Sequence, residues 1–319
     1  LVEIKMSCNF QTASGFYPWQ TTIKKAISTS GIGLHKGDKI DITLKPSEAN
    51  SGVRFIRTDL DDELNKRTIL ASYKNVSDTN MCTTIKNEYD IKISTIEHLM
   101  AALSGSGVDN VDIEINGSEV PIMDGSSGQF IDLIENSGIE ELPEKRKFLK
   151  IKDHVEIIDG DKKCSLSPSN DMKFFASIDF SDKVIGKQEA SISLENFNFK
   201  DNVSKARTFG FMRDVEALRM SGLGLGGSLD NCIIIDNNEV INSEGLRFEN
   251  EFVIHKLLDA VGDIFTSGYR IQGEYKGYLC GHHMNNLLLK ELFDNEDSFE
   301  LIEFDDGVYS ENQKTLLTA

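Results

Sequence analysis

From residue 21 the chain alternates between short stretches with an apolar side chain at every second position and longer ones with a period near 3.6. "TTIKKAISTSGIGLH", "DKIDITLKP" and "GVRFIRTD", parted by Gly, Lys-Gly and Ser-Gly turns, predict strands. A helix is predicted in "STIEHLMAALSGSG", a strand in "NVDIEIN" and a helix in "SSGQFIDLIENSG". After the charged, proline-bearing "EELPEKRK" the pattern restarts with strands in "FLKIKDHVEIID", "KCSLSPS", "KFFASIDF" and "ASISLE". A long helix over roughly 201–221, the strand "NCIIID", a helix over 249–267 and a final strand–helix pair in "RIQGEYKGYLCGHHMNNLLLKELFD" complete the prediction.

Both halves therefore run strands, helix, strand, helix. "DNVDIEINGSEV" at 109–120 is echoed by "DNCIIIDNNEV" at 230–240, which supports a duplicated α+β unit with a boundary near 140–148. The expected organisation is an N-terminal extension at 1–20, a first α+β domain at 21–145, a second at 146–298 and a C-terminal tail at 299–319. Strands that run together ahead of the helices argue against a regularly alternating parallel sheet. "GLGLGG" at 222–227 is not a dinucleotide loop, because a helix precedes it and a strand follows, the reverse of the required order. It reads as a hinge or a close-packing turn.

The helix over 249–267 poses the chemical question. On a wheel of about 100° per residue, Ile254, Leu257, Leu258, Ala260, Val261, Ile264 and Phe265 share one arc, and His255, Lys256, Asp259 and Asp263 crowd the opposite quadrant. That quadrant is either an ordinary solvated face or a metal-binding one. A catalytic zinc site takes three protein ligands and leaves one position open. Of the six histidines, His98 in "STIEHLMAAL" is the best third ligand, although Ser94-x-x-Glu97 also fits a capping box that would give Glu97 a purely structural role. His282 in "CGHHMNN" is either a surface histidine or a general acid whose pKa Asp263 could raise. "SKARTFGFMRDVE" sets Arg207 and Thr208 beside Phe209 and Phe211, which also fits the start of an amphipathic helix.

Composition narrows the classes. A chain of 319 residues can hold two domains, and 39% apolar with 27% charged residues describes a soluble globular protein. No stretch approaches the ~20 apolar residues of a membrane span, and the first residues lack a secretory pattern. Five scattered cysteines without a Cys-x-x-Cys pair argue against a disulfide framework and for a reducing cytoplasm. A net charge of −18 disfavours nucleic acid, yet leaves room for a small anionic ligand held by a few local cations.

Across nearly its whole length the sequence resembles the zinc-dependent UDP-3-O-acyl-N-acetylglucosamine deacetylases of Gram-negative lipid A biosynthesis. The blocks that carry the resemblance are "SGIGLHKGD", "ISTIEHLMAAL", "VPIMDGSS", "SKARTFGFMRDVEAL", "GLGLGGSLDN", "GLRFENEFVIHKLLDAVGDIF" and "GHHMNNLLL", in order and with compatible spacing. The resemblance implies two similar α+β domains, each a mainly antiparallel sheet packed on two helices, in a β-α-α-β sandwich with small inserts, the second insert forming an acyl passage. It implies Zn²⁺ held by His98, His255 and Asp259, with Fe²⁺ also compatible with such ligands. Glu97 then matches the general base, His282 the general acid and Asp263 the carboxylate that orients it. Lys256 and Thr208 match residues near the reacting carbonyl, and Phe180, Phe209 and Phe211 match the substrate cleft. A monomer in the cytoplasm, acting on an acylated UDP-amino sugar, is expected. His283 departs from the pattern, which carries a small residue there in many members, and so does the N-terminal extension. From another class, the sequence admits a nucleotide-sugar-binding protein with zinc as a structural staple.

Overall fold

The computed structural model describes residues 17–194 and 198–304. The first half contains β1 (Trp19–Ile23), β2 (Ile27–Ile32), β3 (Lys39–Pro46), β4 (Val53–Arg57) and β5 (Thr68–Leu70). A small three-stranded insert follows, with β6 (Val76–Asp78), β7 (Thr84–Lys86) and β8 (Lys92–Ile93). Helix α1 (Glu97–Ser106), β9 (Val111–Ile115), α2 (Gly128–Ser137) and β10 (Ile139–Lys145) complete it. The main sheet has the order β2-β3-β9-β4-β5. Its alternation sends Ile40, Ile42 and Leu44 of β3 and Val111, Ile113 and Ile115 of β9 into the core. The charged stretch read as an interdomain boundary is β10, paired antiparallel with β1, so Trp19 and Gln20 belong to a strand; the first sixteen residues of the expected extension lie outside the described residues.

The second half contains β11 (Phe148–Ile151), β12 (Val155–Asp159), β13 (Lys162–Ser167), β14 (Met172–Asp179) and β15 (Lys187–Ser193). Then come α3 (Phe199–Asn202), β16 (Phe209–Phe211), α4 (Met212–Met220), β17 (Ile233–Asp236), β18 (Glu239–Val240), α5 (Glu251–Phe265), β19 (Arg270–Tyr278), α6 (His282–Asp294) and β20 (Phe299–Ile302). β20 joins the second sheet beside β11, which carries that unit past the expected end at 298; residues 305–319 of the expected tail lie outside the described residues.

The duplication is visible in the pairing. In the first sheet β9 takes β3 antiparallel on one side and β4 parallel on the other; in the second, β19 takes β13 antiparallel and β14 parallel. The strand equivalent to β9 is therefore β19. The echo of β9 in the sequence falls instead on β17, the centre of a small three-stranded insert with β16 and β18. The inference of a repeat holds, but the segments that suggested it are not counterparts.

Helix α2 packs on α1 and, through β2, on the first sheet; α5 and α6 pack on the second sheet; and α1 packs on α5, which makes the β-α-α-β sandwich. The backbones of α1 and α5 touch: a Cβ added to Gly262 would lie 2.1 Å from the Glu97 carbonyl oxygen. No helix over 201–221 forms. Glu251 accepts from both the backbone N–H and the guanidinium of Arg207, and residues 209–211 pair with β17, so helix resumes only at Met212. Tertiary partners here override a helical period. The glycine-rich turn is a close-packing turn: Leu225 and Gly226 donate to the carbonyls of His35 and Leu34 in the first half, and a Cβ on Gly226 would meet the Gly33 carbonyl oxygen.

Candidate active site

Every residue of α5 except Lys256 is buried. Its apolar arc faces the second sheet, and α1 covers the polar quadrant. His255, Asp259 and Asp263 are 1%, 3% and 4% exposed, so a solvated face is excluded. Buried charge needs partners or a cation. The ligand atoms of His98, His255 and Asp259 lie within 4.8 Å of one another. Asp259 Oδ1 is 3.5 Å from His98 Nε2 and 3.4 Å from His255 Nε2, and this buried oxygen has no hydrogen-bond partner among the described residues. An orphaned carboxylate oxygen facing two imidazole nitrogens fits a divalent cation. The His255 Nδ1 bond to the Ala206 carbonyl fixes the tautomer that turns the Nε2 lone pair inward. Burial pushes the His255 pKa down to about 3, which keeps the ring neutral, as a ligand must be. Burial opposes ionisation of Asp259, but the neighbouring His255 and the Lys256 ammonium, 2.9 Å from Oδ2, hold its carboxyl well below the usual range. Among the described residues no fourth ligand joins this group.

Glu97 is the first residue of α1, next to the ligand His98. It does not close a capping box. Ile96 occupies the N-cap, Ser94 Oγ donates to the Ser118 carbonyl, and the Glu97 carboxylate accepts the Thr83 N–H at 3.0 Å. Burial raises its pKa, so this carboxylate binds protons more tightly than an exposed one. His282 is the first residue of α6, with Nδ1 2.8 Å from Asp263 Oδ2. Burial works against its charged form, yet Asp263 and Glu97 outweigh burial and raise its pKa to about 10. The structure thus pairs a carboxylate able to take a proton with an imidazolium able to give one. His283, one residue on, shares a 3.3 Å contact between Nδ1 and Thr79 Oγ1 and is not bonded to Asp263.

The remaining candidates lie along an adjoining cleft. Lys256 Nζ sits 5.5 Å from the centre of the Phe209 ring. Phe180 packs on Phe209 and Phe211 at 5.8 and 5.9 Å between ring centres, and Phe209 reaches the His255 ring at 6.4 Å. Thr208 is placed by its backbone, which donates to the Gly125 carbonyl and accepts from Ile233 N–H. Thr208, Phe209 and Phe211 line an apolar cavity of about 350 Å³, continued by Met212, Val215 and Leu218 of α4. Arg207 does not face it; buried against Glu251 and Glu244, it holds the segment in place.

A family model for UDP-3-O-acyl N-acetylglycosamine deacetylase matches residues 20–294. The UDP-3-O-acyl-N-acetylglucosamine deacetylase of Pasteurella multocida is 46% identical over 290 residues, which cover 90% of this chain and 94% of that protein. Proteins of the same name from Haemophilus influenzae and Shewanella violacea are each 44% identical with the same coverage. The chain belongs to this deacetylase family.

Some of the contacts that set the geometry of this deacetylase-family site had no signal in the sequence. Thr83 bridges Glu97 and the partner of His282: its N–H binds Glu97, and its hydroxyl donates to Asp263 Oδ1 at 2.6 Å. Asn285 donates to Asp263 Oδ2 at 2.8 Å and is itself held by the Tyr275 hydroxyl. The segments that deliver Thr83, Glu97 and His282 each pass first through a non-glycine residue with positive φ: Met81 at 66°, Thr95 at 59° and Leu279 at 55°. For β-branched Thr95 this is a strained conformation, worth about 1–3 kcal/mol, and such strain clusters at functional sites.

Proposed function

We propose that the protein hydrolyses the N-acetyl group of a UDP-3-O-acyl-N-acetylglucosamine, releasing acetate and the free 2-amino sugar, the committed step of lipid A biosynthesis. One observation carries this reading. A proton acceptor from α1 and a proton donor from α6 flank a set of three ligands that no fourth side chain joins among the described residues, whereas a structural zinc is usually closed by four protein ligands. That difference disfavours the structural-staple alternative.

His98, His255 and Asp259 would hold the cation, with zinc and ferrous iron both compatible with two nitrogens and one oxygen. When bound, it supplies Lewis-acid polarisation of the amide carbonyl and acidifies water toward a pKa of about 7. Glu97, held by Thr83, takes the proton of the attacking water as the new C–O bond forms. Thr208 is assigned a hydrogen bond to the carbonyl oxygen as negative charge develops on it. His282, kept protonated by Asp263, delivers a proton to the amide nitrogen as the C–N bond breaks, so the leaving group departs as a neutral amine. Lys256 balances substrate charge, and Phe180, Phe209 and Phe211 flank the sugar end of the cleft. The apolar cavity beneath α4 takes the acyl chain.

The two halves each contribute part of the machinery within one chain, so a monomer carries the whole set. Among the described residues no helix is long and apolar enough to cross a membrane. A cytoplasmic site of action is proposed from the cysteine usage. The test is acetate release from the UDP-acylated amino sugar, paired with metal analysis. Glu97→Gln is expected to keep its metal and lose roughly 10²–10⁴-fold in kcat. Loss of metal along with turnover would make Glu97 a structural residue and overturn its assignment as base.

A further inference from the structure

A second cleft lies between the two halves, at the end of α1 remote from Glu97 and His98. It encloses about 350 Å³ and includes Met100 of α1, Phe265 of α5 and the start of β19 in its walls. None of the groups assigned to deacetylation lines it. Its walls carry Arg146, Lys147 and Arg270 against a single carboxylate, Asp109, an excess of two positive charges in a chain whose net charge is −18. That concentration of cations runs against the rest of the molecule.

The hydrogen bonds show which cation is short of partners. Asp109 Oδ2 is used by Arg146, at 3.0 Å to Nε and 2.8 Å to Nη2, and by the Thr21 N–H at 2.9 Å. Arg146 also donates to the carbonyls of Tyr17 and Gly107, so its fork is filled. Arg270 is 4% exposed, and its Nη2 donates to the Ser104 carbonyl at the end of α1. Among the described residues its Nε has no hydrogen-bond partner, and Asp109 Oδ1 lies 3.9 Å away on a carboxylate whose other oxygen Arg146 already uses. A buried guanidinium that shares one carboxylate with a second guanidinium is under-compensated, and an anion in the cleft would offset that cost. Burial and the nearby Arg146 push the Arg270 pKa down to about 9, as expected for a cation short of negative charge. Lys147 stands exposed at the rim, an ammonium able to hold further oxygens, while the Asn110 amide in the wall is already spent on Gln20 Oε1 and the Thr21 carbonyl.

We propose that this cleft is a binding site for a small phosphate-bearing anion. A phosphate group carries about −1.5 to −2 at neutral pH, close to the excess of two charges, and its oxygens accept from guanidinium and ammonium donors alike. The site is independent of the deacetylase chemistry. It joins the remote end of α1 to the strand that follows α5.

The test is a titration of inorganic phosphate into the ¹⁵N-labelled full chain at constant ionic strength, following the backbone amides of Gly52, Asn110 and Gly268. Saturable shifts at these amides are expected, weakened at least about tenfold in Arg270→Gln and about threefold in Lys147→Glu. Lys147 is exposed, so Lys147→Glu keeps the proposal open to refutation if loss of Arg270 disturbs the packing; its deacetylation rate is expected to match the parent. Shifts that grow linearly without saturation, saturation confined to amides around His98 and His282, or equal affinity in Lys147→Glu and the parent would each overturn the proposal.

Discussion

Replacing Gly262 by alanine sets two helix rules against each other. In an exposed helix interior the change stabilises by about 0.5–1 kcal/mol, because glycine loses more backbone entropy on folding. Gly262 instead lies where α5 touches α1. The new methyl would start 2.1 Å from the Glu97 carbonyl oxygen. Opening that gap to an ordinary contact of about 3.4 Å requires the helices to part by about 1.3 Å, and neither backbone can rotate away as a side chain would. Overpacking of this kind costs about 1–3 kcal/mol, so a net loss of about 1–2 kcal/mol and a melting point lower by roughly 2–6 °C are expected. The effect on the site is larger. His98 rides on α1 while His255 and Asp259 ride on α5, and metal–ligand distances tolerate only about 0.2 Å. Metal affinity should fall by at least about 10²-fold and turnover by a comparable factor, since a shift of about 1 Å is worth that much in catalysis alone. Equilibrium dialysis against a competing chelator, thermal melting and acetate release measure the three effects. A Gly262→Ala protein that melts as high as the parent, with metal content and rate unchanged, would refute the close helix contact.

Asp263→Asn removes the largest influence raising the His282 pKa while burial, which lowers it, remains. The alkaline limb of the kcat/KM profile should move to lower pH, with a loss of roughly 10²-fold near pH 8; an unmoved limb would assign it to another group. The same pair sets a stability trend. Because the folded pKa of His282 is raised from 6.5 to about 10, its contribution is present in full below pH 6.5 and is lost as pH rises through about 10. The gap in urea midpoint between parent and Asp263→Asn should therefore narrow over that window, and a gap that widens would contradict the pairing. Thr83→Val keeps the N–H to Glu97 but strands Asp263 Oδ1, so kcat should fall roughly tenfold with KM and metal content unchanged. A change in KM alone would make Thr83 a substrate-shaping residue instead.

Much of this protein could be read along the chain because the deciding forces are local. Alternating Ile40, Ile42 and Leu44 can bury one face only as a strand, and the apolar arc of α5 can be buried only as a helix. The resemblance carried by the ordered blocks likewise marked out His98, His255, Asp259, Glu97 and His282 as candidates, where local spacing alone left bland readings open. Tertiary structure decided what depends on a partner distant in sequence. The polar quadrant of α5 is a buried site and not a wet surface because α1 lies across it, a fact that no helical wheel contains. The segment at 203–211 abandons its helical period because Glu251 and β17 compete for its backbone. Thr83 is indispensable to the arrangement only because folding brings it to Asp263, 180 residues away. The sequence by itself determined which faces had to be hidden; the packing of one half against the other determined what they were hidden against, since desolvation and hydrogen bonding are properties of contacts and not of single residues.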